Sequence, residues 1–187
     1  TNGDVVFFRP AIPIIFGQPT ITETGSFESK TGLGDIGFDL AYGKTNKETG
    51  LLTAVGMVAA LPTASPNVLG GRNFNVGPEV LVGLIKPKYV IGAFPNHQWK
   101  VAGNGTATNL TTVQLFANLL PGKAWVIGTA PIMNYDWNNE QWTVPLNLTL
   151  GKTYVLGGRP WSFGLEANYY VEKSEVFGQK WFIGFSV

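Results

Sequence analysis

The chain contains no cysteine, so it has no disulfides and no thiolate metal sites. It has a single histidine, His97, and any metal site or histidine-dependent hydrolase would have to use it. Charged residues make up only 13%, about half the share usual in globular domains. The net charge is +1 and no basic block exists to neutralise phosphates, which argues against nucleic acid as the partner. Helical periodicity of useful length is absent throughout. Residues 51–71 carry no charge, but only 51–61 is apolar and Pro62 and Pro66 follow, which predicts a strand and a loop rather than a transmembrane helix. Residues 1–16 hold Asp4 and Arg9 inside an apolar stretch and lack a basic start, so they do not read as a signal peptide.

What the chain does have is alternation, in 187 residues that suit one domain. From Trp142 to Val171, Trp142, Val144, Leu146, Leu148 and Leu150 share one parity, and Pro145, Asn147 and Thr149 the other. After GGRP, Trp161, Phe163, Leu165, Ala167, Tyr169 and Val171 alternate with Ser162, Gly164, Glu166, Asn168 and Tyr170. A period of two is the mark of a β-strand with one apolar and one polar face. Ten such segments are expected, at 5–16, 34–42, 51–60, 78–85, 89–101, 110–119, 124–135, 142–156, 161–171 and 179–187.

Their connections fall into two sets. Those at 43–50, 86–88, 120–123 and 157–160 are mostly tight; those at 17–33, 61–77, 102–109, 136–141 and 172–178 are longer on average. In an up-and-down meander, alternate connections lie at opposite ends of the strands. Outer-membrane barrels have short turns at one end and long loops at the other. About ten residues at about 3.3 Å each, tilted near 45°, cover roughly 24 Å, close to the apolar band of such barrels. Phe16, Tyr42, Tyr89, Trp99, Trp125, Tyr135, Trp137, Trp142, Trp161, Tyr169 and Trp181 cluster near strand ends, as interfacial girdles do. The sequence therefore predicts an all-β fold: an antiparallel up-and-down transmembrane β-barrel of about ten strands, forming a single domain over 1–187.

The polar parity carries Arg9, Asp35, Asp39, Glu79, Gln114, Asn118, Asn147, Glu166 and Asn168. In a membrane barrel these point into the lumen. They are the candidate lumen-lining residues, forming either a polar path or a hydrogen-bonded plug. In a soluble barrel the parity is inverted, with Leu146 and Leu148 inward.

Other motifs yield bland readings. GLGDIG at 32–37 matches a dinucleotide fingerprint literally, but a strand follows it where a helix is needed. The two GKT triplets lack the glycine a phosphate loop requires. Three Asn-x-Thr acceptors occur, at Asn104, Asn109 and Asn147, the last inside the best strand. His97 shares a parity with Ile91, Ala93 and Trp99, and so belongs to the apolar face rather than to a catalytic rim with Asp136. No catalytic residue, cofactor or metal is expected, and the chain does not read as an enzyme.

The blocks GLGDIGFDLAYG, LPTASPNVLGGRNFNVGPEVLV, IGAFPNHQWKVAG, TVQLFANLLPGKAW and WTVPLNLTLGKTYVLGGRPWSFGLEANYYV together resemble a family of bacterial outer-membrane proteins, that of the MetA (meta-cleavage) pathway of phenol degradation. The resemblance covers about Arg9 to Val187. It implies a β-barrel in the bacterial outer membrane with a transport-like role for hydrophobic or aromatic compounds, and it brings no catalytic motif. It also implies a signal peptide and further strands ahead of the RPAIPIIFGQP stretch, about twelve strands in all. The expected partners are membrane lipid and a small hydrophobic solute, with a homo-oligomer or other envelope proteins as further candidates. The alternative function is a structural barrel that docks partner proteins through the 17–33 and 61–77 loops.

Overall fold

The computed structural model describes residues 4–22, 24–174 and 179–187. Thirteen strands follow in order: β1 (Asp4–Ala11), β2 (Ile14–Ile21), β3 (Phe27–Leu33), β4 (Ile36–Thr45), β5 (Leu51–Leu61), β6 (Asn73–Lys86), β7 (Tyr89–Gly103), β8 (Asn109–Gly122), β9 (Trp125–Thr129), β10 (Ile132–Asp136), β11 (Gln141–Leu156), β12 (Arg159–Glu172) and β13 (Trp181–Ser186). Among the described residues a single 3-10 turn, Asn67–Leu69, interrupts the strand pattern. No described helix is long and apolar enough to cross a membrane, and residues 51–61 form a strand, as their length predicts.

Eleven strands form one antiparallel sheet, in the order β1-β4-β5-β6-β7-β8-β10-β11-β12-β13, with β9 beside β10 between β8 and β11. From β4 onward each strand pairs with the next, except that β9 and β10 do not pair with each other, so the sheet is a meander. β9 and β10 act as one interrupted strand, and the only closed circuit of pairings among the described residues is the local one they make with β8 and β11. Pro131 explains the break, since it has no N–H for the ladder. The backbone adapts: Leu115 N donates to Pro131 O at 3.1 Å, and Ala130 N donates to Asn147 Oδ1 at 2.6 Å.

Two departures from the expected segments have the same cause. The segment at 5–16 ends at Ala11, where Ile12 and Pro13 turn the chain out of the sheet. The expected loop at 17–33 is instead the greater part of a second two-stranded sheet, the β2–β3 hairpin. It is tied to the 62–72 loop where Leu33 and Ser65 exchange backbone hydrogen bonds of 3.0 and 2.8 Å. Gly32 permits that approach, because a Cβ there would lie 2.0 Å from Ser65 O. This gives the glycines of GLGDIG a packing role.

The two ends of the meander differ, as the connection lengths predicted. At one end lie the tight connections 46–50, 87–88, 123–124 and 157–158; at the other lie 62–72, 104–108, 137–140, the strand ends Glu172 and Trp181, and the hairpin. Gly157 and Gly158 both have positive φ, 59° and 76°, as a two-residue hairpin turn matching the strand twist demands.

The sheet is strongly curled. Strands β1 and β7 are four places apart, which in a flat sheet is roughly 19 Å. Yet the Arg9 guanidinium lies 5.3 Å from the centre of the Phe94 ring. No pairing joins β1 to β13 among the described residues.

Curling sorts the parities. The apolar parity lies on the convex face, with Leu146 and Leu148 each 62% exposed and Leu165 50%. Small residues pack the concave face, among them Ala41 and Ala54, and so do polar ones: Glu79 is 2% exposed and Asn168 5%. This is the reverse of a soluble sheet.

Candidate functional site

Arg9, Asp39, Glu79, Gln114 and Asn118 come together around one cavity of about 360 Å³ on the concave face. Its remaining walls include Phe7, Leu81, Phe94 and Phe116. Space for it comes from Ala41 and Ala54, whose side chains are too short to fill the curl.

Register places the ionic groups. Arg9 stands opposite Asp39 in the β1–β4 pair, and its Nε donates to Asp39 Oδ2 at 2.6 Å. A second guanidinium nitrogen approaches the same oxygen, and the guanidinium lies over Phe94. Arg9 stays largely exposed while Asp39 is mostly covered. Glu79 stands between Gly56 of β5 and Asn96 of β7. Its side chain is enclosed, and neither carboxylate oxygen has a hydrogen-bond partner. Asn96 Oδ1 and Asn75 Oδ1 are likewise buried and unpartnered.

Asn147, Glu166 and Asn168 form a separate cluster on the same face, across the β11–β12 pair. Asn147 Nδ2 donates to Glu166 Oε1 and to Asn168 Oδ1, both at 2.8 Å, and Asn168 Nδ2 donates to Glu166 Oε1 at 2.8 Å. Asn147 Oδ1 accepts from Ala130 N, beside the Pro131 break. The cluster is well supplied with partners and ties the β9–β10 link, β11 and β12 together.

Asp35 is apart from both. It precedes β4 and accepts from Ala64 N at 3.0 Å and Gly71 N at 2.7 Å, so it holds the 62–72 loop in shape. His97 is on the apolar parity, where Nδ1 and Thr111 Oγ1 are 2.7 Å apart and its ring lies 4.2 Å from that of Trp99. Asp136 accepts from Asn138 N and Asn139 Nδ2 in its own turn. Among the described residues, no group of three or more His, Asp or Glu side chains is placed to hold a metal ion.

Sequence reasoning missed Asn75 and Asn96 as inward residues. Asn96 was within reach, since it lies on the parity opposite His97. Asn75 precedes Gly77 and Pro78, which hid the first turns of β6 behind residues that usually end strands.

The aromatic side chains form two bands. All six tryptophans are exposed, from 37% at Trp125 to 62% at Trp181. Trp99, Tyr135, Trp137, Trp142, Tyr169 and Trp181 gather at the long-loop end, with ring centres 4.8 Å apart for Tyr135–Trp142 and 4.7 Å for Tyr169–Trp181. Tyr42, Tyr89, Trp125, Tyr154 and Trp161 lie toward the tight-turn end. Phe16, expected in a girdle, is on the β2–β3 hairpin instead. Each band carries a lysine: Lys152 lies 4.9 Å from the Trp125 ring centre, and Lys180 5.9 Å from that of Tyr169.

Compared with family models, curated proteins and solved structures, the chain matches none.

Proposed function

We propose that the chain forms a bacterial outer-membrane β-barrel whose interior binds small solutes or lets them pass, passively and without a cofactor. The supporting observation is the inverted sheet. Its convex face is apolar and exposed between two aromatic bands, each with a lysine whose charge can reach the interface. Its concave face gathers the polar residues around a cavity. In water such a face would be a large exposed apolar surface, which monomeric soluble proteins rarely keep. A sheet in lipid leaves no free edge, so this reading requires β1 and β13 to be joined, directly or through further strands. With no family model matching, kinship to the outer-membrane proteins of the meta-cleavage pathway rests on the sequence blocks alone.

Planar-bilayer conductance and solute uptake by loaded vesicles test this function. A folded, detergent-requiring sample with heat-modifiable gel mobility should show one or both. Absence of both from such a sample sinks the passage reading.

A second reading, a docking platform, is favoured by the β2–β3 hairpin, which exposes Ile14, Phe16, Ile21 and Phe27 at the long-loop end. Replacing residues 17–30 by a short Gly-Ser turn should leave the barrel folded and abolish partner recovery from envelope extracts. Unchanged recovery rules this reading out.

A further inference from the structure

The concave face has four buried oxygen atoms without a partner: both carboxylate oxygens of Glu79 and the amide oxygens of Asn75 and Asn96. All four are acceptors, and all lie on the neighbouring strands β6 and β7. Buried polar groups are almost always paired, and a lone buried carboxylate is the costliest exception. Arg9 does not relieve Glu79, because it is taken up by Asp39. The cavity wall thus holds one cation and two carboxylates, leaving one negative charge in excess when all are ionised. The same cavity is also lined by aromatic rings, Phe7, Phe94 and Phe116, of which Phe94 already carries the Arg9 guanidinium. Aromatic faces attract cations and accept flat apolar bodies equally well. At about 360 Å³ the space is at the small end of ligand sites, which run from roughly 300 to 1,000 Å³.

We propose that this cavity binds a small organic cation, with an ammonium or amidinium head against Glu79 and an apolar, preferably flat, body against the phenylalanines. A bare metal ion suits it poorly. Hard cations need six or more oxygens, and no acidic cluster is gathered to supply them among the described residues. The inference deepens the solute-binding reading by naming the solute's chemistry, and it rests on that reading.

Benzylammonium is the probe, titrated into protein folded in detergent micelles and followed by calorimetry. Binding should be saturable. Glu79→Gln keeps the shape and removes the charge, and it should weaken binding at least about tenfold, the loss expected of one charged hydrogen bond. Benzyl alcohol, similar in shape but uncharged, should bind comparably weakly, and equimolar K⁺ or Ca²⁺ should not displace the amine. Should Glu79→Gln fail to fold, Phe116→Leu serves in its place, with about a threefold weakening expected from the lost ring face. The proposal is overturned if binding by the wild type is not saturable, if the variant binds unchanged, if benzyl alcohol binds equally well, or if inorganic cations compete equally. A barrel that conducts but binds no amine defeats this inference alone; a chain that needs no detergent defeats the membrane reading beneath it.

Discussion

Two polar clusters share the concave face and are built on opposite principles. Around Asn147, Glu166 and Asn168, every named carboxamide and the carboxylate find partners near 2.8 Å. Around Glu79, Asn75 and Asn96, four acceptors have none. The first cluster lies beside the Pro131 break and supplies the hydrogen bond that Ala130 N would otherwise lack. In the second, Glu79 lines a cavity. A satisfied network fastens strands together; an unsatisfied one is poised for something that brings donors. Composition alone does not separate them, since both mix Glu with Asn.

Mutations should therefore act with opposite sign in the two places. Asn147→Ala removes two donors and an acceptor from the satisfied cluster and leaves Glu166 partly orphaned. We expect a loss of about 2–3 kcal/mol, read as a lower urea midpoint for folding into lipid vesicles. A loss below about 0.5 kcal/mol would mean that the network is not fastening the β9–β10 link to β11 and β12. Glu79→Leu should do the reverse. Replacing an unpartnered buried carboxylate by an apolar group of similar size should stabilise by about 1 kcal/mol in the same assay, while abolishing amine binding. Destabilisation there would show that Glu79 has structural partners after all. The smallest effect is expected at a tight turn, away from both clusters. Lys123 and Ala124 adopt positive φ, 51° and 57°, in the role that glycines fill at 157–158. Ala124→Gly should gain about 0.5 kcal/mol, the relief of left-handed strain less the added entropy of glycine in the unfolded chain.

Much of this architecture was legible from the period of two. Eight of the ten expected segments each correspond to a strand; the one at 124–135 corresponds to the pair β9 and β10, and the one at 5–16 to β1 with the start of β2. Loop lengths correctly separated the two ends. Illegible were the places where proline redirects the chain. Pro13 ends β1 and sends β2 and β3 out as a hairpin, and Pro131 splits one strand into two; neither outcome follows from alternation. Apart from Asp35, the candidate residues share the concave face, because side-chain parity follows from strand geometry. Their division into two clusters and a loop anchor was not foreseeable, since it depends on register. Arg9 meets Asp39 only because β1 skips the hairpin to pair with β4. Glu79 is flanked in register by Gly56, which has no side chain to donate, and by Asn96, whose amide does not bond to it.

The central claim is that the apolar parity faces lipid and the polar parity faces the interior. The absence of cysteine makes single nitroxide labels clean. Labels placed in turn at Leu146, Asn147, Leu148 and Thr149, in protein reconstituted in vesicles, can be relaxed by dissolved oxygen or by a water-soluble nickel chelate. The account predicts strong oxygen and weak chelate accessibility at 146 and 148, and the opposite preference or general protection at 147 and 149. Strong chelate accessibility at Leu146 and Leu148, or loss of the two-residue alternation, would contradict it.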